Sequence, residues 1–212
     1  MLPISPPTWD RLVELNRAGA SLGHYQTGVF ATGVGSEFSP DSGILYVGKS
    51  AGPLGGKVGS VFDQKLSGIA SANWMAERRN LSPFWQMIDR FDPARRRFAW
   101  TNVSKMDRAN GTAPAGAHWV YIRDACVKAL EEEISVLRPQ VSLFATSDAY
   151  RSDILEVLGR LGFESFTLPF EDGWTSALKF EERWAIMTRH PQGWPTLPRN
   201  HLMNFVIGLL AR

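Results

Sequence analysis

Residues 43–50 read Gly43-Ile44-Leu45-Tyr46-Val47-Gly48-Lys49-Ser50, and two incompatible structures fit that string. As G-x-x-x-x-G-K-[ST] it matches a phosphate-cradling loop, in which the four variable residues belong to the turn. As a short, β-rich apolar run between two glycines it is a buried strand with a loop at its carboxyl end. The flanks decide between them. A phosphate loop follows a buried strand and opens a helix at its lysine. Here GSEFSPDS precedes Gly43, and AGPLGG follows Ser50. That second stretch carries a proline and three glycines, which oppose a helix. Ile44–Val47 is therefore read as a strand, and no nucleotide triphosphate is expected as a ligand.

Working outward, Trp9, Leu12, Val13 and Leu15 recur at helical spacing and predict a helix over 8–18. The glycine-rich stretch 49–60 reads as a loop. A helix is expected across Phe84–Phe91 and a strand at Phe98–Val103. The strongest helical pattern is Ala117–Leu137, where Ile122, Cys126, Leu130, Ile134 and Leu137 line one face. Pro139 ends it, and Val141–Ala145 reads as the next strand. Ser147 or Asp148 is placed to cap a helix through Ile154–Leu161, terminated by Gly162. Trp184–Thr188 reads as a buried strand and His201–Leu210 as a last helix. Alternating strands and helices predict an α/β sandwich with a mainly parallel sheet. With no repeat or linker in the sequence, a single domain is expected over 1–212, its core beginning near residue 41.

Composition narrows the function classes. The chain has 212 residues, 44% of them hydrophobic, and a formal net charge of +2. That charge is too small to indicate nucleic-acid binding by itself. The local clusters Arg78-Arg79 and Arg95-Arg96-Arg97 read first as solvated helix ends and strand edges, with a phosphate-facing patch as the alternative. No apolar run reaches the roughly 18 residues needed to span a bilayer, so no membrane partner is expected. The N-terminal MLPISPPTWDRL lacks the basic flank and apolar core of a signal peptide, and a cytoplasmic location is the expectation. A lone Cys126 builds neither a disulfide nor a cysteine-ligated metal site. No metal or other cofactor is expected.

Two families share features with the chain. Gly28-Val29-Phe30 and Tyr46-Val47-Gly48 resemble the paired strand signature of GIY-YIG endonucleases, with fifteen residues between the triplets. That resemblance leaves the last hundred residues unused.

A second resemblance spans about residues 40–210. The loop Gly48-Lys49-Ser50-Ala51-Gly52, followed by Gly59 and Phe62, resembles the spacing of the first motif of the uracil-DNA glycosylase superfamily, G-E-x-P-G with a later glycine and phenylalanine. FAWTNVSKM (98–106) resembles its second element, a strand ending in an asparagine and often a lysine. C-x3-L-x2-EI-x2-LRP (126–139), followed by VSLF, resembles the helix and strand before its third loop. MTRHPQGW (187–194) resembles the last motif, a strand running into His-Pro whose loop enters DNA.

The resemblance implies a three-layer α/β/α sandwich and a DNA repair enzyme that flips a base into a pocket and hydrolyses its glycosidic bond. Phe62 would stack on the base. The Asn102 amide would face its edge, donating and accepting together. His190 would stabilise charge on the departing ring. Gly48, Lys49 and Gly52 would form the loop around the base, Trp194 would wedge into the base stack, and Leu197 would belong to a hydrophobic lid over the last helix. Uracil-containing or damaged DNA is the implied partner.

The sequence departs from the family at the residue that orients water and offsets positive charge on the sugar, normally a carboxylate or asparagine. Lys49 and Ser50 occupy the two candidate positions. Ser50 supplies a hydroxyl that can hold water, and Asp63, directly after Phe62, is the acid proposed to substitute. Two functions follow: a divergent glycosylase acting through Asn102 and His190, or a relative that binds a base without cleaving it.

Overall fold

The computed structural model describes residues 2–51, 62–77, 82–169, 173, 175–192, 194 and 196–211. Gly52 and Gly59 of the first motif, and the Arg78-Arg79 pair, lie outside these residues.

The chain opens with helix α1 (Pro6–Ser21) and a two-residue strand β1 (Gly33–Val34), then enters strand β2 (Ile44–Gly48). Helices α2 (Gln64–Glu77) and α3 (Pro83–Asp89) lead to β3 (Phe98–Asn102). The long helix α4 (Ala117–Leu137) precedes β4 (Val141–Ala145), and α5 (Arg151–Arg160) precedes β5 (Glu164–Phe166). The hairpin β6 (Ser176–Phe180) and β7 (Arg183–Thr188) is followed by α6 (Thr196–Leu210). The phosphate-loop match is thus a strand: its four variable residues are the body of β2.

All seven strands form one sheet, in the order β1-β3-β2-β4-β7-β6-β5. β3, β2, β4 and β7 run parallel, with Tyr46 opposite Trp100 and Leu143, and Gly48 opposite Asn102. β1, β6 and β5 pair antiparallel at the two edges. The sheet is therefore mixed, which corrects the mainly parallel expectation. The same pairing removes the basis of the endonuclease resemblance. Tyr46-Val47-Gly48 pairs with β3 and β4, and Gly28-Val29-Phe30 lies outside any strand.

The central strands read as continuous apolar runs because both faces are covered. Every residue of β2, β3 and β4 is buried. Alternate residues point to opposite faces, and each face has its own hydrophobic cluster. Leu45, Val47, Ala99, Phe144 and Met187 pack against residues of α1, α4 and α5, including Leu12, Cys126, Leu130 and Ile154. Ile44, Tyr46, Trp100, Leu143 and Ile186 pack with Met75 of α2, Trp85 and Ile88 of α3, and Leu202 and Val206 of α6. The predicted apolar face of α4 is buried throughout.

Local details differ from expectation at two points. α5 is entered through Tyr150 in a left-handed conformation (φ 60°), with no side-chain cap from Ser147 or Asp148. The Ser147 hydroxyl instead accepts a hydrogen bond from the His190 backbone. The Arg95-Arg96-Arg97 run lies at the amino end of β3. Arg95 is buried and pairs bidentately with Asp89 (2.6 and 2.7 Å), and Arg96 pairs with Glu37. Arg95 is thus part of the fold's interior, whereas Arg96 and Arg97 remain exposed. Among the described residues, no helix is long and apolar enough to cross a membrane.

Candidate functional site

β2 is flanked by β3 on one side and β4 on the other, so the chain changes direction across the sheet at β2. Ligand crevices in open α/β sheets form outside the carboxyl ends of strands at such a point. A cavity of about 480 Å³ lies there, lined by Gly48, Lys49 and Ser50 after β2, Asn102 at the end of β3 and His190 after β7. Its walls are aromatic: Trp74 from α2, Phe84 and Trp85 from α3, and Trp100 from β3. Another cavity, of about 260 Å³, lies around Ile44 and Phe98, at the opposite ends of the strands. It is away from the motif residues.

Backbone hydrogen bonds stitch the strand exits together. The Val103 amide donates to the Gly48 carbonyl and the Ser104 amide to the Lys49 carbonyl, both at 2.9 Å. Gly48 is required by this closeness. A Cβ there would lie 2.5 Å from Asn102 Oδ1 and 3.3 Å from the Phe84 ring.

Beneath Asn102 lies a fully buried ion pair, Lys105 Nζ to Glu133 Oε2 at 2.6 Å. The same ammonium donates to Thr101 Oγ1 and to the Asn102 carbonyl, both at 2.7 Å. All three of its donor sites are used. The Thr101 and Thr32 hydroxyls also bond the Glu133 carboxylate. A charge pair so completely enclosed is tolerable because all three ammonium protons are bonded and both carboxylate oxygens accept hydrogen bonds.

Two donors on the cavity wall lack such partners. Asn102 Nδ2 and Trp100 Nε1 are buried with no hydrogen-bond acceptor among the described residues. An unpaired buried donor costs about 1–3 kcal/mol, and both residues belong to the cavity lining; Ser142 Oγ and Trp194 Nε1, outside that lining, are likewise without a partner among the described residues.

His190 completes the set. Its ring lies 5.9 Å from that of Phe84 at an interplanar angle of 18°. Phe84 in turn stacks on Tyr46 at 4.3 Å and accepts the Tyr46 hydroxyl through its carbonyl (2.8 Å). Burial pushes the Tyr46 phenol well above its ordinary range, which keeps it protonated as that donor. Burial, and secondarily the Lys49 charge, lower the His190 pKa. The Gln192 amide donates to His190 Nδ1 (3.3 Å), which leaves the proton of the neutral ring on Nε2.

No protein-family model and no curated protein matches the chain.

Of the residues singled out in the sequence, the cavity gathers Gly48, Lys49, Ser50, Asn102 and His190. Phe62 and Asp63 are not among its lining. Phe62 sits under Arg17 of α1, and its carbonyl accepts the Trp9 indole N–H at 2.8 Å. Asp63 Oδ1 accepts the Leu66 amide (2.8 Å) at the start of α2, the work of a helix cap. Trp194 and Leu197 reverse the exposure expected of a wedge and a lid. Trp194 is 4% exposed and belongs to the second hydrophobic cluster, whereas Leu197 is 66% exposed. Phe84, Trp85 and Trp100 were missed. For Trp100 a signal existed, since it shares a strand face with Asn102 two residues on.

Among the described residues, the lining contains no Asp or Glu. It combines one lysine, a neutral imidazole, unpaired N–H donors and flat aromatic walls. Such a site suits a planar ring whose edge presents acceptors. Among the described residues, no group of three or more His, Cys, Asp or Glu side chains converges as a metal site would require.

Proposed function

We propose that this chain is a uracil-DNA glycosylase-like protein that takes an extruded base, uracil or a related oxo-base, into the cavity and hydrolyses its N-glycosidic bond. The observation that carries this reading is the pair of orphaned donors, Asn102 Nδ2 and Trp100 Nε1, in the same cavity as neutral His190. Helices packed on both faces of the sheet agree with a three-layer α/β/α arrangement. Phe84 takes the stacking role first given to Phe62. Asn102 Nδ2 donates to a base carbonyl, and so does His190 Nε2–H. As the C1′–N bond breaks, its electron pair moves onto the ring and its carbonyl oxygens, where these donors stabilise it. Water adds to C1′ and loses a proton to solvent.

The first experiment is base release from end-labelled single- and double-stranded oligonucleotides carrying uracil, hypoxanthine or xanthine, with abasic sites revealed by alkali. Release that disappears in His190→Ala, with the fold intact by circular dichroism, is expected. No release from folded protein at high concentration would remove the hydrolase.

One observation favours a second reading, binding without cleavage: among the described residues, no carboxylate lines the cavity to offset positive charge on the sugar. Removing one charge-stabilising group of this kind typically costs roughly 10²–10³ in rate. Tight retention of uracil-containing DNA without release is the result that would select this reading.

A further inference from the structure

The absent carboxylate leaves an amine in its place, and the surroundings of that amine set it apart from the other described lysines. Lys105 is enclosed with Glu133. Lys128 pairs with Glu131, and Lys179 lies 3.9 Å from Glu182. Lys65 is exposed on α2. Lys49 lines the cavity, partly buried, and makes no side-chain hydrogen bond or ion pair among the described residues. Its backbone is held, because its carbonyl accepts the Ser104 amide and the preceding Gly48 carbonyl accepts the Val103 amide. The side chain therefore starts from a fixed strand end and lines a chamber with no acid among its described lining residues. A lysine amine in such a chamber is a nucleophile toward carbonyl carbon.

We propose that Lys49 condenses with the aldehyde of an abasic deoxyribose held in this cavity, forming an imine between its Nζ and C1′ of the sugar. The inference rests on the glycosylase-like reading for the identity of the sugar.

The atoms balance without a co-reactant. The Lys49 ammonium first gives a proton to solvent; the freed lone pair then adds to C1′ of the ring-opened aldehyde, and a proton moves from nitrogen to oxygen to give a carbinolamine. Loss of water then leaves the C=N bond. Addition of water in reverse releases the sugar and restores the amine. The flat walls of Trp74, Trp85, Trp100 and Phe84 fit the space left by a departed base. The same lysine that disfavours a positive sugar would thus retain the product of base loss.

Full-length protein is incubated with an end-labelled duplex bearing one abasic site, with and without sodium borohydride, and resolved on a denaturing gel. A reductant-dependent protein–DNA adduct is expected, lost in Lys49→Met and in Lys49→Arg, and kept in Lys65→Ala. Peptide mapping should place the added mass on Lys49. Arginine keeps the charge but forms no such imine, so loss in Lys49→Arg separates a nucleophile from an electrostatic role. Thermal melts establish that each variant is folded. An adduct that survives Lys49→Met, maps to another lysine or never forms overturns the proposal. Base release measured separately on uracil-containing DNA keeps the two readings apart. Release without an adduct removes the imine and leaves the hydrolase; an adduct without release does the reverse.

Discussion

Removing the ammonium of Lys105 is the most demanding test of how the site is held. Both members of the Lys105–Glu133 pair are at 0% exposure, 2.6 Å apart. Lys105→Met retains the length and much of the apolar stem but leaves the Glu133 carboxylate with only the Thr32 and Thr101 hydroxyls. Breaking a buried pair from one side costs about 3–5 kcal/mol, because the remaining charge stays dry and uncompensated. For a chain of this size 1 kcal/mol corresponds to roughly 2–4 °C in Tm, so a fall of roughly 6–20 °C is expected. Glu133→Gln should fall in the same range, since it strands the ammonium instead.

The double variant Lys105→Met/Glu133→Leu removes both charges and should regain most of the loss, giving a coupling of at least about 2 kcal/mol. Urea unfolding followed by circular dichroism measures each free energy, with a constant slope confirming that the unfolded state is unchanged. Single variants that each lose less than about 1 kcal/mol, or that simply add in the double, would refute the reasoning. The network also carries a positional consequence. Lys105 Nζ holds the Asn102 carbonyl, so the double variant should recover stability more fully than it recovers ligand binding.

Three further outcomes are expected. Gly48→Ala places a methyl 2.5 Å from Asn102 Oδ1; an overpacking cost of about 1–3 kcal/mol should accompany loss of the tryptophan fluorescence change on titration with uracil, and an unaltered titration would contradict the assigned geometry. The Cys126 thiol, pushed up to about 11 by burial, should resist iodoacetamide at pH 8 in the native protein and react on unfolding; rapid native labelling would show that the α4 face opens. Because the folded-state pKa of His190 lies below its ordinary 6.5, the unfolded chain binds the proton more readily. Its contribution to stability is therefore complete above about pH 6.5 and declines as acid is added below that value. His190→Gln should flatten that acid limb of the urea midpoint, and a limb of equal slope in the variant would assign it to other groups.

The fold was legible where one physical signal dominated. β2, β4 and α4 were found with their bounds nearly intact because burial on both faces makes an apolar run, and a half-buried helix makes a stripe. The edges were not. β5 has all three residues exposed, and β1 is two residues long, so neither offers a pattern. The β6–β7 hairpin turns through Glu181 at φ 54°, with Phe180 opposite Arg183. A Glu-Glu turn carries none of the Asn-Gly chemistry by which hairpins are recognised. Helix α2 follows the glycine-rich stretch and buries small polar residues, Ser67 and Ser71, whose hydroxyls bond the Val29 and Ala31 carbonyls. Its contacts are polar and tertiary, so no apolar period announces it.

The site divides along the same line. Gly48, Lys49, Ser50, Asn102 and His190 sit at strand ends, and a strand end is a position the sequence fixes once the strand is found. Phe62 and Asp63 depended on counting through a loop, where spacing carries no direction; they belong to the α1 contact and the α2 cap instead. Lys105 and Glu133 show a third case. Both lie in stretches that carried the family resemblance, 98–106 and 126–139, yet nothing in either stretch says that they meet. They meet because α4 crosses the sheet face opposite the cavity and brings Glu133 under the end of β3. The cavity thus has an aromatic lining, and behind the strand ends a charged, dry pair holds the Asn102 carbonyl. A substitution in the lining should alter which ring is bound, and one in the pair should alter whether any ring is held in register with Lys49 and His190.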